Sequence, residues 1–281
     1  MKVTTWLLLP VLVLLAASCA PEPELVVYCA LDQEFAEPLI RRYEAEQHVT
    51  VRAEFDIEAN KTVGLVQRLR EEGKRPRCDV FWNNEAAQSA RLGQDGVLAR
   101  YVSPSAVAIP AHMKDPEGMW TGFAARARIF IVNTDLADPK SIRSMWDLFD
   151  PKWAGKVAMA RPLTGTTLTH MAALYVVLGE EKAEEYVKRA HELGQSGALQ
   201  LANGNGTVAR MVAEGKCAFG WTDTDDYAVQ LEKGAHVVAV YPDAEGVGTL
   251  LIPNTIVVTK DAPHPSAAHA FVDWVLRPET E

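Results

Sequence analysis

Stretches that read as strands and stretches that read as helices take turns along this chain, and that alternation restricts the fold more than any other feature. "LVVYCA" (25–30) is a short apolar run of the kind a buried strand shows. "QEFAEPLIRRYEAE" (33–46) follows, with Phe35, Leu39, Ile40 and Tyr43 near helical spacing, and "VTVRAEF" (49–55) then alternates with a period of two. "VGLVQRLREEG" (63–73) is helical with a glycine at its end, and "DVFWNN" (79–84) returns to strand. The same grammar resumes with "RIFIVNT" (128–134), the helices "TGTTLTHMAALYVVLG" (164–179), "EKAEEYVKRAHELG" (181–194) and "GTVARMVAEGK" (206–216), and the strand "CAFGWT" (217–222). A bent strand, "GTLLIPNTIVVTK" (248–260), precedes a last helix, "PSAAHAFVDWVL" (265–276), for which Ser266 is the expected cap. Strand–helix–strand order requires crossover connections, so the expectation is an α/β fold with mixed, mostly parallel sheets.

The amino terminus carries Lys2 and then an almost wholly apolar run from Trp6 to Ala17. That run is shorter than the roughly 20 residues needed to span a bilayer and ends in small residues, the pattern of an export signal. Cys19, after Ala16, Ala17 and Ser18, resembles the lipidated cysteine of a bacterial lipoprotein box, although a leucine is usual where Ala16 stands. Simple cleavage after an Ala-x-Ala-like site is the alternative. The expected plan is a signal over 1–19, a tether over 20–24 containing Pro21 and Pro23, and an exported protein held to a membrane through its lipid alone. The remaining length exceeds what one core usually serves, which favours two domains. Removing residues 1–19, whose one charge is Lys2, takes the formal net charge from −9 to about −10. Such a balance argues against nucleic acid and against a polybasic membrane patch. Cys29, Cys78 and Cys217 contain no C-x-x-C pair, and an odd number does not make a disulfide framework, so they are expected to be buried thiols.

Five segments, in order, resemble the solute-binding proteins of ABC importers, and within them the ferric-ion-binding branch. They are "VVYCALDQEFAEPLIRRYEAE", "CDVFWNNE", "GKVAMARPLTGTT", "NGNGTVARMVAEGKCAFGWTD" and "PNTIVVTKDAPHPSAAHAFVDWVL", together spanning most of residues 25 to 276. The resemblance implies a two-domain, type 2 periplasmic-binding-protein fold whose lobes hinge on two crossing strands. It assigns 25–122 with 248–281 to lobe 1 and 123–247 to lobe 2. It also implies a monomer that hands a small charged solute to permease and ATPase subunits. Members of that branch run some tens of residues past the position matching Glu281, which leaves open whether this chain ends early.

In such folds the ends of strands and the starts of helices line the cleft, which selects three groups of residues. The first is Thr164, Gly165, Thr166 and Thr167, where a helix start offers unpaired N–H groups and hydroxyls to an anion. By itself this is an ordinary capped helix start. The resemblance makes it the segment that holds carbonate or phosphate beside the metal, with Asn205 of "NGNG" as a second contact. The second is "FGWTDTDDY" (219–227), which crowds Asp223, Asp225 and Asp226 into four positions. A solvated turn is the plain reading of such a cluster. Ferric-binding relatives carry adjacent tyrosines here, and this chain has Asp225 and Asp226 instead. Carboxylates suit hard cations and organic ammonium groups alike, and Asp223 could serve as a helix cap. The third group is Asp32, Glu58, Asn83 and Asn84, surface polar groups in most proteins but placed by the resemblance in lobe 1 of the cleft. Asp225 and Asp226 with Glu58 form the expected metal-ligand set. None of the histidines shows metal spacing, and His170 is the one nearest the site.

The functional expectation is an extracytoplasmic solute-binding lipoprotein with no cofactor, capturing a metal ion such as iron(III) together with a synergistic anion. The alternative is a receptor for an aminophosphonate, a polyamine or another organic cation or zwitterion. A metal-dependent transferase or phosphatase is a third class, suggested by the D-x-D spacing of "DTDD". Against enzymes stand the export signal and the absence of P-loop, G-x-S-x-G and Cys–His motifs.

Overall fold

The computed structural model describes residues 25–56, 63–73 and 75–280. The expected signal, tether and Cys19, and with them Glu58, lie outside the described residues. β1 (Leu25–Cys29) leads into α1 (Gln33–Gln47), β2 (Val51–Phe55), α2 (Val63–Glu72) and β3 (Val80–Asn83). α3 (Ala86–Gln94), the short β4 (Leu98–Ala99) and the long β5 (Thr121–Asn133) come next. After β6 (Val157–Ala160) the order is α4 (Gly165–Leu178), α5 (Glu180–Ser196), β7 (Leu199–Ala202), α6 (Asn205–Ala213), β8 (Phe219–Asp223) and α7 (Thr224–Glu232). β9 (Val237–Val240), β10 (Leu251–Thr259) and α8 (Pro265–Val275) complete the chain.

The strands run in the order β2-β1-β3-β10-β5-β8-β6-β7, with β4 beside β10 and β9 beside β5. Parallel pairs occupy the two flanks, β1 with β2 and β3, and β6 with β7 and β8. Every antiparallel pairing involves β5 or β10. This arrangement follows from length. Thirteen residues of β5 reach across both flanks, pairing with β10 through Thr121–Ala127 and with β8 and β9 through Arg128–Asn133.

The apolar cores separate in the same way. One pair of clusters gathers β1, β3, α1 and α8, with Trp82, Phe123, Phe271 and Trp274 at its centre. A second pair gathers residues from β5 onward through β9, around Phe130, Tyr186, Phe219 and Trp221. The last helix returns to the first half, where Phe271 and Trp274 meet Tyr43 edge-on and the Trp274 indole donates to Glu46. Its start differs from the expectation for Ser266: Pro265 takes the first helical position, His264 is the cap residue, and no side chain caps the turn. Proline suits that position because its missing N–H would be unpaired there anyway.

Six of these helices and strands escape the periodicity of the sequence. α3, β4, β6, β7, α7 and β9 are short, and their apolar positions are too few to establish a repeat. α7 matters most, because it converts the aspartate cluster from a turn into a strand end followed by a helix start. Cys29, Cys78 and Cys217 are buried thiols, and burial pushes the Cys217 thiol up to about 11.

Candidate functional site

A cleft of about 750 Å³ opens between the two halves. From the first half it is lined by Leu31, Asp32, Phe35, Leu39, Trp82, Asn84 and Phe123, and from the second by Thr164–Thr167, Asn203–Thr207 and Asp223–Asp226. Arg126 and Asn254, from β5 and β10, line it where the two strands meet. Phe35 and Leu39, spaced like core positions of α1, face this cleft, and Phe35 is 44 % exposed.

Helix starts supply the second wall. α4 begins at Gly165, which adopts φ +60 with open space around it, so the chain turns into the helix through a left-handed residue. Thr164 occupies the cap position of α4 without a capping hydrogen bond, and Gly204, the cap residue of α6, leaves that helix equally bare of a side-chain cap. α7 starts directly behind β8, with Asp223 at its cap position and Asp225 and Asp226 in its first turn. A side chain at Gly206 would stand 3.1 Å from Asp226 Oδ1, so glycine lets α6 lie close to α7 here.

Asp223 does not cap its helix. It is only 4 % exposed, and its Oδ1 accepts from Arg128 Nη1 at 2.7 Å. Oδ2 accepts from Thr166 Oγ1 at 2.6 Å and Asn205 Nδ2 at 3.1 Å, with Arg126 Nε at 3.6 Å. Burial opposes ionisation of this carboxyl, yet Arg128, Arg126 and the Thr166 hydroxyl outweigh it and hold the group below its usual range. The expectation that Asp223 offers its carboxylate to a solute is therefore corrected: a wholly buried arginine, 0 % exposed, already takes it. The Thr166 and Asn205 side chains are likewise engaged with Asp223 and with each other, and Thr167 Oγ1 donates to Asn205 Oδ1. What these residues present to an anion is their helix starts more than their hydroxyls.

Asp225 and Asp226 stand differently. The three carboxylates offer oxygens within 4.8 Å of one another. Asp225 Oδ2 lies 3.8 Å from Arg126 Nη1, and Asp225 Oδ1 accepts the Asp226 amide. Burial raises the Asp225 pKa, Arg126 pulls it back and the neighbouring Asp223 adds to the rise. Asp226 accepts the Thr222 hydroxyl at 2.9 Å.

A carboxyl whose folded pKa exceeds its unfolded value costs stability while ionised, and costs nothing once pH falls below the unfolded pKa of about 4. Asp225→Asn is therefore expected to melt higher than the parent at pH 7. The gap should narrow through the raised pKa and vanish below about pH 4. Melting curves across that range test it, and a lower melting temperature at pH 7 would contradict it.

Two other expectations need correction. Asn83 does not line the cleft: it is fully buried, and its amide donates to the Glu85 carbonyl at 2.7 Å and to Ser89 at 3.0 Å. Strand alternation explains why Asn83 and Asn84 part company, since successive side chains point to opposite faces. His170 is buried behind the wall, edge-on to Trp221, and burial with the nearby Arg128 pushes it down to about 3, so it is neutral. Among the described tryptophans only Trp82 reaches the lining; Trp221 is core.

Arg126 and Arg128 were the residues to find from sequence. "ARAR" places two guanidiniums two positions apart just ahead of the apolar run "IFIV", and a buried charge requires a partner. Their partner is the aspartate cluster.

This arrangement has relatives among known proteins. Residues 38–281 match the family described as bacterial extracellular solute-binding protein. Iron uptake protein A1 of Synechocystis sp. is 26 % identical over 246 residues, 82 % of this chain and 67 % of that protein. Iron-bound HitA from Pseudomonas aeruginosa superposes with a TM-score of 0.81 at 24 % identity, over 91 % of this chain and 81 % of that one. AfuA from Actinobacillus pleuropneumoniae, solved with exogenous fructose-6-phosphate, gives 0.77 at 26 % identity over 91 % and 80 %. These neighbours share the type 2 periplasmic-binding-protein fold, here with α/β halves met at β5 and β10. A cleft between two half-sheets and a match running from α1 through the end of α8 together show that this chain belongs to the bacterial extracellular solute-binding protein family.

Proposed function

We propose that this chain is the extracytoplasmic receptor of an ABC importer, a binding protein rather than an enzyme, and that it captures a small solute carrying a compact positive centre with an anionic group beside it. One observation supports this reading above the others: the Asp225–Asp226 pair and the bare starts of α4 and α6 line one cleft. Carboxylates attract the cation, and helix starts favour the anion. A metal ion such as iron(III) with its synergistic anion fits that pattern as cargo, not as a cofactor. Iron-binding relatives support it.

An organic zwitterion, such as an aminophosphonate, is a second reading. It is favoured by the loss of Asp223 to Arg128 and by the guanidinium 3.8 Å from Asp225, which together dilute the negative charge facing a bare metal ion. A polyamine, all positive, finds the helix starts less suitable.

In this proposal 25–122 with 248–281 forms lobe 1 and 123–247 lobe 2, hinged through β5 and β10 and closing on the solute. The working form is a monomer, lipid-anchored through Cys19 and paired with permease and ATPase subunits.

Calorimetric titration with iron(III) plus phosphate or carbonate, with Mn(II), and with 2-aminoethylphosphonate separates the two readings. Heat from the metals and none from the phosphonate supports the first; the reverse supports the second. Silence with all of them refutes the proposal. For either cation, affinity should fall on acidification, beginning above the ordinary carboxylate range, because protonated Asp225 no longer competes for positive charge.

A further inference from the structure

The Arg126 side chain is 89 % buried at the meeting of β5 and β10, and it touches both halves. Nη1 donates to Asn254 Oδ1 at 2.9 Å and Nη2 to the Asn84 carbonyl at 2.5 Å, both in the first half. Across the cleft Nε stands 3.6 Å from Asp223 Oδ2, and Nη1 stands 3.8 Å from Asp225 Oδ2. Arg128 already neutralises Asp223 at 2.7 Å. The second guanidinium is therefore more than Asp223 needs, and its field falls on Asp225. Three carboxylates against two guanidiniums leave a formal charge of −1 in the cluster.

Resting on the binding-protein reading above, we propose that Arg126 is the specificity-determining residue of the cleft, limiting how much positive charge a solute can bring to the Asp225–Asp226 pair. Its anchors to Asn254 and Asn84 hold the guanidinium in place whether or not a solute is bound. A single ammonium meets a cluster of matching charge. A bare multivalent metal meets one whose attraction has been cut by a fixed cation roughly 4–6 Å away. At that distance, even in the dielectric of bulk water, a divalent ion loses about tenfold in affinity or more.

The test is Mn(II) binding by Arg126→Gln, Arg126→Lys and Asn254→Asp beside the unmodified protein, each checked for a cooperative melt. Arg126→Gln should bind Mn(II) about tenfold tighter or more. Arg126→Lys keeps the charge but loses the fork held by Asn254 and Asn84, so it should fall between the parent and Arg126→Gln. Asn254→Asp is nearly isosteric and supplies Arg126 with its own counter-ion, so it too should bind tighter, by less than Arg126→Gln. Damage to the site would weaken binding, so the direction of change separates a charge role from a merely structural one. A folded Arg126→Gln with equal or weaker Mn(II) affinity overturns the inference, and if that variant does not fold, an unchanged or weakened Asn254→Asp does so. Parent binding with unmoved variants overturns this inference alone. No Mn(II) uptake by parent or variants at millimolar concentration overturns it together with the metal reading.

Discussion

Asp223→Ala should be among the most destabilising single changes in this protein, by about 3–5 kcal/mol, although the residue belongs to the cleft wall. Arg128 is wholly buried and has Asp223 as its ion-pair partner at 2.7 Å. Deleting the carboxylate strands that charge, and it also leaves the Thr166 hydroxyl without its acceptor and takes from the Asn205 amide the more distant of two. The cost comes from the uncompensated guanidinium rather than from the lost attraction, because a buried pair as a whole contributes little against its desolvation. The double variant Asp223→Leu with Arg128→Met should therefore recover much of the loss. Thermal or urea unfolding of single and double variants measures this. The single variant should melt on the order of 10 °C lower, and an unchanged melting temperature would show that the pair does not hold this wall.

The second large effect is on binding. Asp225→Ala together with Asp226→Ala should abolish uptake of any cationic or zwitterionic solute, with thermal stability close to that of the parent. These two residues lie in the first turn of α7, only partly buried, and neither sits in an apolar cluster. A thousandfold or greater loss in calorimetric affinity is the expected result, on the order of two carboxylate contacts of about 2 kcal/mol each. Retained affinity in the double variant would make the pair surface charge and would remove the proposed function. In this proposal the aspartates of one short motif divide into one that holds the wall and two that bind the solute.

That division could not be read from "DTDD". Sequence spacing shows three carboxylates close together, and physical chemistry adds that they need positive partners, but the partners lie 95 positions away on β5. The arginines were visible as letters, yet "ARAR" ahead of an apolar run reads equally as a solvated edge until the pairing of β5 with β8 is known. Asn83 and Asn84 show the same limit on a smaller scale: which of two neighbours faces the cleft depends on the phase of β3, fixed by its pairing with β1 and β10.

What the sequence determined by itself was the order of elements. Apolar runs of strand length between helical repeats leave a chain little choice but crossover units, and these depend on local periodicity, which any stretch carries within itself. The glycine and threonines before "LTHMAALYVVL" likewise place a helix start wherever they are put. Only the tertiary structure decided which charges cancel. β5 runs long enough to cross from one half to the other, so it delivers Arg126 and Arg128 to the end of β8 and leaves Asp225 and Asp226 facing the gap. Electrostatic energy depends on separation in space, and no spacing along the chain reports that distance.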